Sequence, residues 1–403
     1  MEISGYCQSE RVNLEKSDTG YYGDFNMNKL ISVSKDVLRG IENEFNHIRV
    51  KAVDSLGFLT YRCTSKCKTC NIWQRNGGGD SKNELTKEEW INILSKLKKY
   101  GIKSFEIFGG DAFLRKDAIF DIIKFCSQNK IETYLPTNAN LCDPETIKMM
   151  IDSCLDNIYL SIDGVEDEHD SIRGVEGTFK RIIKTLDTII EEKVKRGIDY
   201  PKIHIVTTLS NLNYNKFENL VKYFENYPIA TIYPRNLVEF SKSSIENSEI
   251  DGYLPDPYYT PFESTSHLFN IKELDEFKQS IKKIKKNKSR LYINFAGIDI
   301  LKDDAFTKGI CDYKKCHVAT MFATINPNGD IVPCPFYNSY VIGNLLENDL
   351  EDIWGNDKHR RFIKLQQAKK IQICQNCNLP IYHPSLSDTL RHYYLRILEG
   401  ILQ

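Results

Sequence analysis

The stretch LGFLTYRCTSKCKTC, residues 56–70, decides how the rest of this chain is read. Leu56–Tyr61 is an apolar, strand-like run, and three cysteines follow it at once: Cys63, Cys67 and Cys70, in the order C-x3-C-x2-C. Thiolates this close converge on one metal centre without long-range folding. Three ligands are one short of the four that complete a 4Fe–4S cluster, which leaves one iron with an open position. A structural zinc site is the alternative, but it wants a fourth nearby ligand, and residues 71–83 supply no Cys or His.

Outward from that stretch, strand-like runs recur with helical patterns between them. They are Leu56–Tyr61, Ser104–Phe108, Glu132–Leu135, Asn157–Ile162, Ile203–Leu209 and Thr231–Pro234. Short apolar runs of this kind read as buried parallel strands. Thr86-x-x-Glu89 is a capping box that opens a helix ending at Gly101. Asp143-Pro144 sets an N-cap ahead of a proline at the first helical position. Ile182, Ile183, Leu186, Ile189 and Ile190 make one apolar helical stripe. The result is an α/β chain of six βα units, and periodicity leaves a partial barrel and an open doubly wound sheet both standing.

The cysteine spacing, its place after the first strand and the residues Cys63-Thr-Ser-Lys-Cys67-Lys-Thr-Cys70 resemble the radical S-adenosylmethionine (SAM) enzymes over about residues 50–380. Phe108-Gly109-Gly110-Asp111-Ala112 is similar to the family's Gly-Gly-Glu-Pro turn, which holds the methionine amino group of SAM. Thr137-Asn138, and Ser161 with Asp163, look like the polar strand ends that contact the ribose. His169-Asp170-x-x-Arg173-Gly174, with Gly177 and Phe179 following, is similar to the stretch after the fourth strand, which makes Arg173 a candidate partner for the SAM carboxylate. Every motif falls at a strand's carboxyl end, where parallel α/β folds bind ligands. Asp111 is a methylene shorter than the family's Glu, Ala112 replaces its proline, and Thr69 stands where an aromatic is usual. Taken singly, Gly109-Gly110 also suits an ordinary βα turn, Ser161 and Asp163 suit local caps, and Arg173 suits a surface salt bridge.

A second set, Cys311, Cys316, Cys334, Cys374 and Cys377, lies near the C-terminus. Asn326-Pro-Asn-Gly329 between β-rich flanks predicts a hairpin that returns Cys334 toward Cys316, with Cys374-x-x-Cys377 closing the site. Gly343-Asn344-Leu345 and Leu350-x-x-Ile353-Trp354 complete a resemblance to the SPASM or Twitch auxiliary-cluster extension over residues 311–380. Five cysteines fit one auxiliary 4Fe–4S cluster, with Cys316, Cys334, Cys374 and Cys377 as ligands and Cys311 spare or substituting. His383 is an unusual ligand at best, and a zinc ribbon is the alternative. Cys7, Cys126, Cys142 and Cys154 have no metal spacing; Cys126 and Cys154 fall on helical patterns, and Cys142 precedes an N-cap.

The 403 residues include 54 Lys+Arg, 55 Asp+Glu and twelve Cys, with 41% hydrophobic residues. That composition buries a real core, and a net charge of −1 gives no electrostatic case for nucleic acid or an anionic membrane. No run of about 18 apolar residues predicts a membrane span, and the polar, acidic start shows no signal peptide, so a cytoplasmic location is expected. The expected divisions are an N-terminal extension (1–50, with a helix near Ser34–Glu44), a core barrel (51–240), a closing loop and helix (241–305), an auxiliary-cluster domain (306–383) and a C-terminal helix (384–403).

The resemblance implies a partial (β/α)6 TIM-like barrel followed by a small α+β cysteine-rich domain. It also implies reductive cleavage of SAM to a 5′-deoxyadenosyl radical, which takes a substrate hydrogen, with the auxiliary cluster accepting an electron. A reducing partner such as flavodoxin or ferredoxin is expected. Members modify ribosomally made peptides, oxidise protein side chains or dehydrogenate sugar-like alcohols. Residues 1–50 are short for a peptide-binding domain, which leans toward a small-molecule substrate and keeps a peptide or protein side chain as the alternative. A non-catalytic zinc-binding protein is the further alternative.

Overall fold

The helix signals written into the chain are satisfied atom by atom. The Thr86 hydroxyl accepts from Glu89 N and the Glu89 carboxylate accepts from Thr86 N, and Gly101, at φ 98°, ends the helix Lys87–Tyr100. Asp143 caps Pro144–Asp152 through Thr146 N. A second capping box, Asn270 with Glu273, opens Ile271–Lys286, the helix expected there. In this computed structural model the described residues are 27–74, 83–258, 265–287, 291–311 and 316–382, with 386, 387, 389, 390 and 394 near the end. Cys7, His383 and almost all of the expected C-terminal helix lie outside them. The N-terminal helix runs Met27–Arg49, longer at both ends than its sequence signal.

Six strands form the parallel part of one sheet: β1 (Asp54–Phe58), β2 (Ser104–Phe108), β3 (Glu132–Thr137), β4 (Asn157–Ser161), β5 (Lys202–Leu209) and β6 (Thr231–Asn236). Each pairs with its sequence neighbour, so all six carboxyl ends lie at one end of the sheet. Helices between them cover the outer face, where Trp90 of Lys87–Tyr100 packs edge-on to Phe105 at 6.0 Å. The arrangement is the TIM-like partial barrel that the resemblance implied, not a doubly wound sheet.

The sheet does not stop at the expected domain boundary. β7 (Phe322–Ile325) lies parallel beside β1, β8 (Asp330–Val332) returns antiparallel to it, and β9 (Gly343–Asn344) follows, giving the order β6-β5-β4-β3-β2-β1-β7-β8-β9. The predicted hairpin exists, but it extends the barrel's own sheet. Its unpaired edge is satisfied by β1, which sequence periodicity does not reveal.

Residues 241–258 and 265–268, read as loop, include a short helix at Lys242–Glu246 capped by Ser241, and Ile250 bridges to Tyr253. Cys126 packs in the core on the helix Lys116–Gln128. Cys154 instead follows its helix, at a positive φ of 65°.

Candidate active site and auxiliary cluster site

The loop carrying the first three cysteines is gripped from two sides. On one side the β1–β2 ladder continues beyond the strands: Leu59 N donates to Phe108 O, Gly110 N to Thr60 O at 2.9 Å and Asp111 N to Arg62 O at 2.8 Å. A Cβ on Gly110 would stand 2.2 Å from Arg62 O, and one on Gly109 would stand 2.7 Å from Thr60 O. The close approach that needs these glycines is therefore to the cysteine loop. On the other side Lys66 N donates to Arg173 O and Lys68 N to Ile172 O. Gly174, at φ +67°, lies so near that a Cβ would fall 2.3 Å from Lys66 O.

Cys67 is buried and Cys63 and Cys70 are half-buried. Burial pushes the Cys63 and Cys70 thiols up to about 12 and Cys67 up as well, with the Arg173 guanidinium pulling the other way. Left alone these are neutral thiols; iron held by the three cysteines would supply the positive charge that stabilises thiolates. Ser65 N donates to Cys63 Sγ at 3.4 Å, Asn138 Nδ2 lies 4.0 Å from the same sulfur, and Arg173 Nη1 lies 3.8 Å from Cys67 Sγ. Donors aimed at sulfur are how proteins tune iron–sulfur thiolates. Among the described residues no three His, Cys, Asp or Glu side chains are drawn around a single ion. In a cubane each cysteine takes its own iron.

Two polar networks surround the thiols. In the first, Thr64 Oγ1 donates to Asp111 Oδ2, Asn138 Nδ2 donates to Thr64 Oγ1 at 3.2 Å, and Asn140 Nδ2 reaches Ser65 Oγ at 3.2 Å. Asp111 is 3% exposed and also caps the next turn through Phe113 N. Burial raises its carboxyl despite these donors. In the second, Arg173 pairs with Asp163 at 2.8 Å, and Asp163 accepts from Thr208 N. Thr137 Oγ1 turns to accept from Ala139 N, and Ser161 ends β4 half-buried, outside both networks. The sequence reading missed Thr64 and Asn140. Their signal was a polar residue inside the cysteine loop and another just past Asn138.

Cys316, Cys334, Cys374 and Cys377 gather as the second site. Burial raises all four, and charge on any of Cys316, Cys334 and Cys374 would raise Cys377 further, which places them together. Cys311 is pushed up to about 12 by burial alone. Its backbone adjoins the site, where Cys311 N donates to Gln375 O. Tyr258, also missed, links the two sites. Its carbonyl accepts from Asn71 N, and its ring packs 5.2 Å from Phe336 and 6.3 Å from Phe58.

Comparison with known proteins agrees with this geometry. The family model of the radical SAM superfamily matches residues 58–224, and that of the SPASM iron–sulfur cluster-binding domain matches 316–378, a span that begins at Cys316 and leaves out Cys311. The AdoMet-dependent heme synthase of Methanosarcina barkeri is 24% identical over 346 residues, 80% of this chain and 90% of that protein. The mycofactocin maturase MftC of Mycolicibacterium smegmatis is 20% identical over 333 residues, 79% of this chain and 74% of that one. The crystal structure of Streptococcus suis SuiB bound to the precursor peptide SuiA shares the fold with a TM-score of 0.56 at 19% identity, over 86% of this chain and 75% of that one. Among the described residues no helix is long and apolar enough to cross a membrane. The zinc alternatives give way to iron–sulfur and SAM chemistry: the chain carries a radical SAM domain over residues 58–224 and, C-terminal to it, a SPASM iron–sulfur cluster-binding domain over residues 316–378.

Proposed function

We propose that this enzyme modifies a side chain of a peptide or protein, with Cys63, Cys67 and Cys70 holding the SAM-binding 4Fe–4S cluster and Cys316, Cys334, Cys374 and Cys377 holding an auxiliary one. The observation that carries the reading is the position of the first cysteine loop, clamped at the carboxyl ends of six parallel strands, of which β2, β3, β4 and β6 keep half-buried side chains on the inner face. A peptide substrate is supported over the small-molecule one by relatives named as a maturase and a protein crystallised with its precursor peptide. When bound, the cluster and SAM supply a 5′-deoxyadenosyl radical.

The chain's own residues do the rest. Gly109, Gly110 and Asp111, with Thr137, Asn138, Ser161 and Asp163, form the proposed SAM wall. Both terminal nitrogens of Arg173 are already directed, one at Asp163 and one at Cys67. Its proposed role therefore shifts from the SAM carboxylate to positioning the cysteine loop. Tyr258 and the barrel wall exclude water from the reacting carbon. Flavodoxin or ferredoxin is the proposed electron donor.

Anaerobic reconstitution tests the assignment, with about eight iron per chain expected for two 4Fe–4S clusters. The variant Cys63→Ala/Cys67→Ala/Cys70→Ala should lose half the iron and all 5′-deoxyadenosine; full production would sink it. For the substrate, peptides encoded beside the gene are incubated with SAM and reductant and weighed by mass spectrometry. Loss of a hydrogen pair, or a new cross-link, is expected. Turnover of a tetrapyrrole with every peptide unchanged would return the enzyme to small-molecule chemistry, as the heme synthase relative allows.

A further inference from the structure

Burial along the central strands runs opposite to the usual pattern for a packed barrel. Positions facing the helices, such as Phe105, Leu135, Leu160 and Ile232, are fully buried. Alternate positions on β2, β3, β4 and β6 are half-buried: Glu106, Tyr134, Tyr159, Tyr233 and Arg235 among them. A side chain in the middle of a parallel sheet that keeps accessible surface keeps it on the barrel's interior. This interior is polar and aromatic, where an ordinary barrel is filled by branched aliphatics.

Three tyrosine rings run along one wall. Tyr134 and Tyr159 are 6.1 Å apart and Tyr159 and Tyr233 are 5.9 Å apart, with His204 stacked on Tyr159 at 4.6 Å beneath them. Glu106 stands on β2, the far side of this wall from β6. Among the described residues its carboxyl makes no hydrogen bond and no ion pair. Arg235 acts on it only through space, and the Arg235 guanidinium lies over the Tyr233 ring, 5.4 Å from its centre. An enclosed carboxylate without a partner is costly in a folded protein, and such groups are kept where a ligand completes them.

We propose that Glu106 is the recognition residue of the barrel interior, taking the ammonium or guanidinium end of a basic substrate side chain whose stem lies along Tyr134, Tyr159 and Tyr233. The charge is complementary, and the ring faces favour a cation beside them. Burial raises the Glu106 carboxyl to about 7 even against the field of Arg235, and a ligand cation seated beside it would favour the ionised form. An acidic substrate group would be drawn to Arg235 but would meet Glu106 as a like charge.

The inference rests on the peptide reading only for the molecule that bears the basic side chain. Its test therefore reads binding, without turnover. Titration calorimetry on the cluster-reconstituted, full-length protein compares Nα-acetyl-lysine methylamide with the norleucine analogue, which has the stem but no charge. The lysine probe should bind at least about tenfold more tightly, the usual worth of a hydrogen bond to a charged group. Glu106→Gln should bring it to the norleucine level and Glu106→Asp should keep part of the preference, with circular dichroism and iron content confirming the fold of each. Failure of the wild-type protein to bind the lysine probe, equal affinity for both probes, or a preference that survives Glu106→Gln would each overturn the assignment. Tighter binding of a glutamate probe, lost in Arg235→Met, would overturn it in favour of an acidic substrate. A failed peptide assay with these results intact would move only the identity of the amine.

Discussion

Arg173 Nη2 lies 2.8 Å from Asp163 Oδ2, a contact between two largely buried side chains that joins the helix Asp167–Arg173 to the end of β4. The same guanidinium reaches Cys67, so the pair ties the cysteine loop to the barrel. Removing one partner of a buried pair strands the other charge, which costs about 3–5 kcal/mol. Arg173→Met should lose stability of that order in urea unfolding, and Arg173→Met/Asp163→Leu should recover most of it. Unchanged stability in the single variant would mean that the pair contributes nothing.

Asp111 links the Gly-Gly turn to the cysteine loop through Thr64 and caps its own turn through Phe113 N. If its carboxylate also holds the SAM amino group, Asp111→Ala should weaken SAM binding by roughly 10- to 150-fold, the range for a charge-assisted hydrogen bond. Thr64→Val removes the link while leaving the carboxylate, and should change SAM affinity less. Equilibrium dialysis with labelled SAM measures both. Wild-type affinity in Asp111→Ala would leave that residue as a cap alone.

The auxiliary site should be needed after radical formation. Cys374→Ala/Cys377→Ala, given dithionite and SAM, should still release 5′-deoxyadenosine without forming oxidised product. The second site is continuous with the barrel sheet through β7 and β1, so circular dichroism and residual iron must first show a folded core. Normal product formation by a folded variant would make the second cluster structural.

Glu106 gives a pH signature. Its carboxyl is raised from an ordinary 4.5 to about 7 by burial, with Asp54 adding to the shift and Arg235 opposing it. The unfolded chain releases this proton near 4.5 and the folded chain near 7, so between those values the folded state holds more protons. Stability from this group therefore falls as pH rises from 4.5 to 7. Glu106→Gln removes that slope and should be the more stable protein at pH 8, by up to about 3 kcal/mol. Parallel pH profiles for the two proteins would show that Glu106 ionises at its ordinary value.

Local chemistry was legible in the chain because it is local. Thr86-x-x-Glu89, Asp143-Pro144 and the hairpin turn near Gly329 each act within a few residues, and each appears as read. The C-x3-C-x2-C loop is of the same kind: ligands so close need only the strand before them. Strand ends were read less well, since Leu56–Tyr61 became Asp54–Phe58; ladder partners, not composition, decide where a strand stops.

What only the tertiary structure decided are contacts between residues distant in sequence. That β7 would pair with β1, that Gly110 would press on Arg62 O, and that Arg173 would be claimed by Asp163 and Cys67 depend on how the units stack. The sequence determined which metal chemistry the chain carries, because thiol spacing along a short loop limits the ligand geometry. Tertiary structure decided which side of each strand faces the barrel interior, because alternation names two faces without saying which one the helices will cover. Glu106 was invisible for that reason: its charge interrupts an apolar run, and only the curvature of the sheet turns it inward.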